Sequence, residues 1–285
     1  MLFDIIYDMD HSLAIITPVY QNYEVLQDFF SYFEKQTNKN FQIFLIDLSI
    51  DKKPIINKKL NISVIKEDNL GYAYGVNIGI NEAIKNGFGK FCVMNNDTYM
   101  AKDFVDQVIR SLNKNPSSLI GGKIYYAPGH EYHHARYKKN DLGKVFWYAG
   151  GIMDWKNVFT NHRGVDMVDH GQFEKIEKTD FISGCLISFD RSVWDQVGPW
   201  NENYFLYFED ADYCERCRRK GLKLLYDPKI VLWHKVSQST GGSGSDLHKK
   251  YQEKNRVIFG LKYAPWRTKF HLIKNYVLSK FQRPV

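Results

Sequence analysis

The chain has 285 residues, a formal net charge of +7 and a hydrophobic content of 44%. These values are typical of a globular protein with one large domain or two small ones. No apolar run approaches the roughly 18 residues that span a bilayer, and the N-terminal segment carries acids where a signal peptide has bases. The four cysteines include only one closely spaced pair. We therefore predict a cytoplasmic protein, without a transmembrane helix.

The positive charge is concentrated at the C-terminal end of the chain. From Lys249 onward there are ten Lys or Arg residues and a single acid, Glu253. The preceding residues are therefore close to neutral, and nucleic acid is not among the expected partners. We predict a folded domain over residues 1–247 and a basic helical extension over residues 248–285.

Short β-rich runs alternate with helical patterns in the first hundred residues. The predicted strands are 13–17, 41–47, 62–66 and 90–94, and the predicted helices are 23–36 and 76–87. This alternation is typical of an α/β fold with a mostly parallel sheet and helices on both faces. Ligands bind such sheets beyond the carboxyl ends of the strands. Polar clusters stand at three of these ends, TPVYQN, DLSID and NND, and we expect them to converge.

The alternation is less regular after Tyr99. Further elements are predicted as helices at 102–115, 191–198 and 209–221, and as strands at 119–126, 184–190, 222–227 and 230–234. The segment SQSTGGSGSD, residues 237–246, is rich in Gly and Ser and predicts a loop that acts as a lid or hinge.

Several segments, taken in order and spacing, resemble the inverting family-two glycosyltransferases of GT-A fold, especially the rhamnosyltransferase-like branch. They are TPVY, DNLGYAYGVNIGI, MNNDT, SGCLISFDRSVW and NENYFLYFEDADYCERCRRKG with the later VLWHKVSQSTGG. The resemblance covers about residues 12–260. It implies a Rossmann-like nucleotide-sugar half over about 1–98 and a smaller acceptor-side sheet within about 99–247.

The implied reaction is metal-dependent inverting transfer of a sugar, with rhamnose as the best guess, to a hydroxyl of a growing bacterial cell-surface glycan. The donor is a nucleoside-diphosphate sugar linked to dTDP or UDP, and a lipid-linked acceptor is one option. An alternative is a UDP-sugar transferase of the same fold, such as a galactofuranosyl or GlcNAc transferase. A sugar nucleotidyltransferase would need a glycine-rich loop with Arg and Lys after the first strand, which TPVYQNYE lacks. A non-catalytic carbohydrate-binding protein would not need the acids of NND and FEDADY.

The resemblance places the metal element at Asn95-Asn96-Asp97, where Asp97 is the only charged residue. Asp97 and His234 are the implied ligands of Mg²⁺ or Mn²⁺, because a divalent cation offsets the charge of a leaving diphosphate. From the residues alone, the Asn and Asp side chains could equally be turn formers, and His234 could be a core histidine.

The implied contacts of the nucleotide sugar lie in the loops after the first strands and at the start of the second helix. They are Thr17, Pro18, Tyr20, Asp47, Asn69, Gly71, Asn77, Asn95 and Asn96. The loop after the first strand would wall the base, and a carboxylate after the second strand can accept from a pyrimidine N–H. A glycine-rich helix start suits close approach to phosphate or ribose.

The segment FEDADY places three acids, Glu209, Asp210 and Asp212, within four residues. Inverting transfer needs one carboxylate to take the proton from the acceptor hydroxyl, and the resemblance assigns this base to Asp210. Glu209 would orient the acceptor or the base, and Asp212 would cap the helix or pair with Arg216. Acids also favour a first helical turn simply because they complement the helix dipole.

The implied acceptor site uses aromatic side chains that stack on sugars and glycines that permit close approach. Its residues are Trp147, Gly150, Gly151, Gly184, Cys185 and Trp200.

The C-terminal extension divides into two predicted helices. Residues 248–263 are expected to pack on the catalytic domain. Residues 266–283 combine basic residues with interfacial aromatics and predict a helix that lies on a membrane without crossing it. The aromatic residues are Trp266, Phe270, Tyr276 and Phe281. The expected location is therefore the cytoplasm, with contact to the inner face of the membrane. The sequence does not decide the oligomeric state.

Overall fold

The computed structural model describes residues 12–236 and 246–281, without the side chains of 246–248 and 276–281. The loop predicted at 237–246 lies outside the described residues except for Asp246, and so do the side chains of Tyr276 and Phe281. The strands are β1 Leu13–Val19, β2 Phe41–Asp47, β3 Ile62–Lys66, β4 Lys90–Met94, β5 Thr98–Met100, β6 Ser118–Tyr126, β7 Phe146–Tyr148, β8 Gly151–Asp154, β9 Phe159–His162, β10 Glu177–Lys178, β11 Leu186–Asp190 and β12 Lys223–His234. The helices are α1 Val25–Glu34, α2 Tyr72–Lys85, α3 Phe104–Lys114, α4 Arg191–Val197, α5 Glu209–Arg219, α6 Asp246–Tyr263 and α7 Trp266–Phe281.

One large mixed sheet connects both halves of the chain, in the order β10-β12-β6-β11-β4-β1-β2-β3. Strands β3, β2, β1 and β4 are parallel, as the alternation predicts. Strand β11 joins β4 in the antiparallel sense and carries the sheet into the second half. Strands β8 and β9 form a separate two-stranded ribbon. The predicted α/β fold is confirmed, and most acceptor-side strands continue the first sheet.

Both faces of the parallel part of the sheet are covered by other elements. Every residue of β1 is buried, including side chains that point to opposite faces. Helix α2 packs closely on β1 because Gly79 has no side chain, and a Cβ there would lie 2.5 Å from Ile16 Cγ2. A mid-helix glycine costs about 1 kcal/mol, so the close packing offsets a local penalty. This packing fixes where α2 begins, at the mouth of the site.

The two strands predicted at 222–227 and 230–234 form one continuous strand, β12. It runs parallel to β6, with an irregular register between Asp227 and Val231. Pro228 lies in that interval and cannot donate a ladder hydrogen bond, so the strand contains a bulge where the sequence pattern predicts a break. The uninterrupted strand carries His234 to its C-terminal end, where it pairs with Thr98 of β5.

The C-terminal helices differ in how they contact the rest of the chain. Helix α6 buries Asn255 and Phe259, which confirms the predicted packing of residues 248–263. Helix α7 packs on α6, where a Cβ on Gly260 would lie 2.3 Å from Leu272 Cδ1. No helix among the described residues is long and apolar enough to cross a membrane. The domain boundary at residue 247 stays a prediction.

Candidate active site

A cleft of about 800 Å³ opens at the carboxyl ends of β1, β2 and β4. Residues predicted for the nucleotide, the metal, the acceptor and the chemistry line this one cleft. They are Pro18, Tyr20, Asn69, Gly71, Asn95, Asn96, Asp97, Trp147, Gly184, Cys185, Glu209, Asp210 and His234. The expectation that the polar strand ends converge is therefore met for β1 and β4.

Six predicted site residues do not line the cleft, namely Thr17, Asp47, Asn77, Gly150, Gly151 and Trp200. Thr17 and Asp47 are fully buried. The Asp47 carboxylate accepts the Tyr23 hydroxyl at 2.9 and 2.8 Å and the Ser49 N–H at 3.1 Å. Asp47 therefore orders the loop after β2, and its contact with a base stays a prediction.

Asn77 and Trp200 hold two distant segments together. The Asn77 amide donates to the Trp200 carbonyl oxygen at 2.9 Å and accepts the Trp200 N–H at 2.8 Å. The Trp200 ring is buried and stacks on Tyr213 at 5.1 Å. The Gly150 carbonyl oxygen accepts the backbone N–H of Arg163, and the Gly151 N–H donates to the Thr179 hydroxyl. These contacts fix the backbone next to the cleft. Direct contacts between these four residues and a substrate stay predictions.

Asp97 and His234 form a close pair at one end of the cleft. The pairing of β5 with β12 brings Asp97 Oδ1 within 3.2 Å of His234 Nε2. Both side chains are buried, and among the described residues Asp97 Oδ1 has no side-chain or backbone contact of hydrogen-bond type besides His234, while His234 Nδ1 has no hydrogen-bond partner. Burial favours the neutral form of His234, but Cys185 and Asp97 outweigh it and raise the pKa of His234 well above its ordinary value.

This pair offers one oxygen and one nitrogen donor to a cation. No group of three or more His, Cys, Asp or Glu side chains in the described part of the chain could hold a metal by itself. Magnesium sites that act on nucleotides often have one or two protein ligands and take the rest from substrate phosphates and water. The buried Asp97 carboxylate fits such a site, because a buried carboxylate needs a positive partner, and a bound cation would take the place of the His234 proton.

Tyr72, which the sequence patterns did not single out, links the metal element with the neighbouring segment that leads into β11. Its hydroxyl lies 3.1 Å from Asn95 Oδ1 and 3.0 Å from the Gly184 carbonyl oxygen. Burial raises the pKa of Tyr72 well above its ordinary value, so the hydroxyl stays neutral. Tyr72 begins α2 directly after Gly71, whose φ is +112° and whose added Cβ would lie 2.6 Å from the Phe205 carbonyl oxygen. The glycine in NLGYAYG is the available sequence signal for this contact.

A strained turn precedes the acidic helix α5. Tyr207 and Phe208 have φ values of +69° and +71°, in the left-handed region that non-glycine residues rarely adopt. Such residues cost about 1–3 kcal/mol each and persist only where neighbouring groups hold them. The buried amide of Asn255 on α6 donates to the carbonyl oxygens of Leu206 and Tyr207, each at 2.9 Å. This turn directs the first residues of α5 into the cleft.

Asp210 is fixed by two backbone N–H groups. The Gly184 N–H donates to Oδ2 at 2.7 Å, and the Ala211 N–H donates to Oδ1 at 2.7 Å. Burial raises the pKa of Asp210 to about 6, although these bonds favour the carboxylate. Burial and the neighbouring Asp210 raise the pKa of Glu209 well above its ordinary value. Asp210 therefore ionises more readily than Glu209, which suits Asp210 to the role of base and Glu209 to that of a hydrogen-bond donor.

Asp212 points away from the cleft. Its buried carboxylate accepts from Arg216 Nε at 2.8 Å, which confirms the expected pairing, and also from two groups of α6. These are Lys262 Nζ at 2.9 Å and the Tyr263 hydroxyl at 2.8 Å. Asp212 therefore joins α5 to α6.

Further cleft residues come from the β8–β9 ribbon, from the turn that follows it and from α6. They are Thr160, Asn161, His162, Val165, Tyr251 and Gln252. The Tyr251 ring stacks on Phe205 at 5.1 Å, beside the strained turn. None of these residues lies in a motif of the sequence analysis, and only the folded chain brings them to the cleft.

The model of the glycosyl transferase family 2 matches residues 14–197. The chain belongs to this family. Its matched region contains β1 to β11 and the metal element, whereas α5 and His234 lie beyond it.

Two curated family members show the nature of the similarity. A Mycobacterium tuberculosis N-acetylglucosaminyl-diphospho-decaprenol L-rhamnosyltransferase is 26% identical over 97 residues, 33% of this chain and 32% of that protein. The Shigella flexneri dTDP-rhamnosyl transferase RfbF is 22% identical over 174 residues, 60% of this chain and 51% of that protein. The chain thus spans about a third to a half of the length of these relatives.

Among solved structures, GalNAc-T7 with UDP, GalNAc and Mn²⁺ superposes with a TM-score of 0.62 at 15% identity. The superposition covers 86% of this chain and 48% of GalNAc-T7. The fold of this family-two member is therefore the GT-A fold.

The Asn255 clamp on the strained turn generates a first prediction. Asn255→Ala should lower turnover at saturating donor by about tenfold or more, because small displacements of a catalytic group are costly. It should also lower the free energy of unfolding by about 1–3 kcal/mol, since two buried carbonyls lose their donor. Steady-state kinetics well below the melting temperature and urea unfolding measure the two effects. Lys254→Ala, an exposed change on the same helix, is the control. Full turnover in a folded Asn255→Ala variant would show that other contacts hold the turn.

Proposed function

We propose that this family-two protein is a metal-dependent inverting glycosyltransferase. The donor is dTDP-rhamnose, with UDP sugars as the alternative, and the acceptor is a hydroxyl of a growing, lipid-linked cell-surface glycan. One observation carries the proposal. A single cleft holds the Asp97–His234 pair at one end and, on its acceptor side, a carboxylate, Asp210, that is ionised at neutral pH.

The choice of donor and acceptor rests on the relatives. One relative is named for transfer from dTDP-rhamnose, and another is named for rhamnosyl transfer onto a decaprenol-linked sugar. The end of β1 and the loop after it, with Pro18 and Tyr20 at the cleft, are suited to wall the base. A nucleotidyltransferase or a simple binding protein would have no use for a raised-pKa carboxylate fixed by backbone N–H groups.

A divalent cation, Mg²⁺ or Mn²⁺, fits the Asp97–His234 pair. Asp97 Oδ1 and His234 Nε2 would hold it, with diphosphate oxygens as further ligands. Bound there, it would neutralise charge on the leaving nucleoside diphosphate. Asn95 lies beside this pair with its side-chain oxygen 3.1 Å from the Tyr72 hydroxyl, which leaves its amide N–H groups available for the ribose or for a phosphate.

The protein's own residues perform the proton transfer of the reaction. Asp210 takes the proton of the acceptor hydroxyl while that oxygen forms a bond to the anomeric carbon of the donor sugar. The bond from the anomeric carbon to the diphosphate oxygen breaks on the opposite face, and the configuration inverts. Glu209, whose carboxyl group holds its proton more strongly than Asp210 does, donates a hydrogen bond to the acceptor or to the base. No covalent intermediate is needed, so no residue acts as a nucleophile.

The exposed residues of helix α7 favour contact with the anionic inner face of the cell membrane. Trp266, Phe270 and Ile273 follow at helical spacing and are 74%, 63% and 52% exposed. Leu272 lies buried against α6, so the exposed apolar residues form a separate stripe. Basic residues such as Arg267 and Lys274 are also exposed on the helix. An apolar stripe with basic neighbours is typical of a helix that lies in the interface of a bilayer.

The metal proposal predicts which sugar nucleotides and which cations support turnover. Release of nucleotide should be fastest with dTDP-rhamnose in a panel of dTDP and UDP sugars, and EDTA should abolish it. Asp97→Asn should lower kcat/KM at least about 100-fold, since metal charge stabilisation supplies several kcal/mol. Asp195→Asn, which changes an exposed acid of α4, should retain full activity. Unchanged activity of Asp97→Asn at limiting Mn²⁺ would contradict the assignment.

The base proposal predicts a pH profile. Asp210 is a base only when ionised, and its pKa is raised to about 6. The kcat/KM of the wild type should therefore be constant above that value and fall about tenfold per pH unit below it. Asp210→Asn should lose about 10²- to 10⁴-fold with donor binding nearly unchanged. Glu209→Gln should retain much more activity, because an amide resembles a protonated carboxyl. The opposite order of the two variants would identify Glu209 as the base.

The membrane proposal predicts sedimentation with vesicles. Each basic residue near an anionic surface contributes about 1 kcal/mol, so binding to phosphatidylglycerol vesicles should be strong at low salt and weak at high salt. The triple change Trp266→Ser, Phe270→Ser and Ile273→Ser, or deletion of residues 266–285, should abolish it and leave activity on a soluble acceptor. Ile50→Ser with Ile56→Ser is a matched control, since these residues are 74% and 77% exposed. Equal binding of all variants would contradict a role for α7.

A further inference from the structure

The β8–β9 ribbon connects a cleft residue, His162, with the wall that carries the base. His162 pairs with Gly151 across the ribbon, and Gly151 forms a bridge with Phe181. Three residues after Phe181, the N–H of Gly184 donates to Asp210. The His162 ring also stacks on the Phe181 ring at 6.2 Å. His162 therefore lies on the part of the cleft wall that leads through Phe181 to Gly184, the residue that holds the proposed base.

The hydrogen bond of the His162 ring fixes which nitrogen carries the proton. Nδ1 lies 3.0 Å from the Trp147 carbonyl oxygen. A carbonyl oxygen only accepts, so Nδ1 must donate. Burial lowers the pKa of His162 to about 4, and the ring is neutral in the working range of the base. Nε2 of the neutral ring then has a lone pair and no proton, and can only accept a hydrogen bond.

The Nε2 atom of His162 has no hydrogen-bond partner in the part of the chain that the structure describes. His162 is half-buried and lines the cleft, and among the hydrogen bonds of the described residues none reaches Nε2. The Trp147 ring contacts both His162, at 4.3 Å between centroids, and His234, at 4.6 Å. The ligand that meets Nε2 must donate a hydrogen bond from within the cleft, next to the Trp147 ring.

We propose that His162 Nε2 accepts a hydrogen bond from a hydroxyl of the acceptor sugar other than the hydroxyl that reacts. The inference rests on the proposed glycosyl transfer and adds a specificity-determining residue to it. The ligand class is a sugar that places a second hydroxyl near the reacting one. The reacting hydroxyl of the acceptor is bound by Asp210, whose carboxylate takes its proton. His162 recognises a different hydroxyl, which keeps its proton.

Two substitutions separate recognition from a merely structural role. In His162→Asn the side-chain amide stands two bonds from Cβ, like Nδ1, so the bond to the Trp147 carbonyl is kept and the acceptor atom at Nε2 is lost. In His162→Gln the amide stands three bonds from Cβ, like Nε2, so an acceptor oxygen is kept and the bond to Trp147 is lost. Recognition predicts that His162→Asn is the more damaging change, and a structural role predicts the reverse.

The experiment uses the full chain, Mn²⁺, dTDP-rhamnose and the octyl glycoside that gives the fastest transfer in a panel. His162→Asn should lower kcat/KM for this acceptor about tenfold, while His162→Gln should retain most of it. Slow nucleotide release without acceptor and the KM of the donor should not change in either variant. Thermal melting checks that both variants are folded.

Monodeoxy analogues of the same glycoside identify the hydroxyl. One analogue should lose about tenfold in kcat/KM with the wild type and almost nothing more with His162→Asn. The proposal is overturned if His162→Gln is the weaker enzyme, if the KM of the donor changes instead, or if no analogue shows this coupling. Failure of the proposed function has a different result, since the wild type would then release no nucleotide from any nucleotide sugar.

Discussion

The hydrogen bond from the Gly184 N–H to Asp210 is the contact on which the geometry of the cleft depends. It joins the segment that enters β11 to the first turn of α5 at 2.7 Å. A Cβ at residue 184 would lie 3.2 Å from the carboxylate oxygen, so a side chain there would press on the base. Burial raises the pKa of Asp210, and the two N–H bonds lower it, with a result of about 6. The balance leaves a carboxylate that is ionised at neutral pH and still basic enough to take a proton.

The strained turn before α5 explains why the C-terminal helix α6 packs beside the cleft. Tyr207 and Phe208 hold left-handed conformations that are unfavourable for their side chains, and Asn255 supplies two hydrogen bonds to that turn. Asp212 anchors the same α6 from the other side of α5 through Lys262 and Tyr263. Part of the positive charge of the extension therefore neutralises a buried carboxylate within the fold. The basic residues of α7 that are exposed, such as Arg267 and Lys274, are available to contact an anionic surface.

Regular hydrophobic patterns predicted most of the fold, because strands buried on both faces leave continuous apolar runs such as those of β1 and β2. The convergence of polar strand ends followed from the parallel topology. The partner of a buried polar residue was not predictable, since Asp47 after a strand suits a nucleotide base and the Tyr23 hydroxyl equally well. The contribution of His162 had no sequence signal at all. Its position depends on the ribbon, which is held by long-range pairings such as Gly151 with Phe181.

Asp210 and Asp97 differ in how completely the protein satisfies their carboxylate oxygens. Asp210 has a backbone donor on each oxygen, so its position is fixed before a substrate arrives. Asp97 Oδ1 has the His234 ring as its neighbour at 3.2 Å, and a cation bound between diphosphate and carboxylate would replace the His234 proton there. The Tyr72 hydroxyl lies 3.1 Å from Asn95 Oδ1 and 3.0 Å from the Gly184 carbonyl oxygen, and the Asn95 N–H donates to the Cys185 carbonyl oxygen at 3.2 Å. The segment that would receive the departing charge and the segment that fixes the base are thus joined directly, which keeps their relative position constant, as a concerted displacement requires.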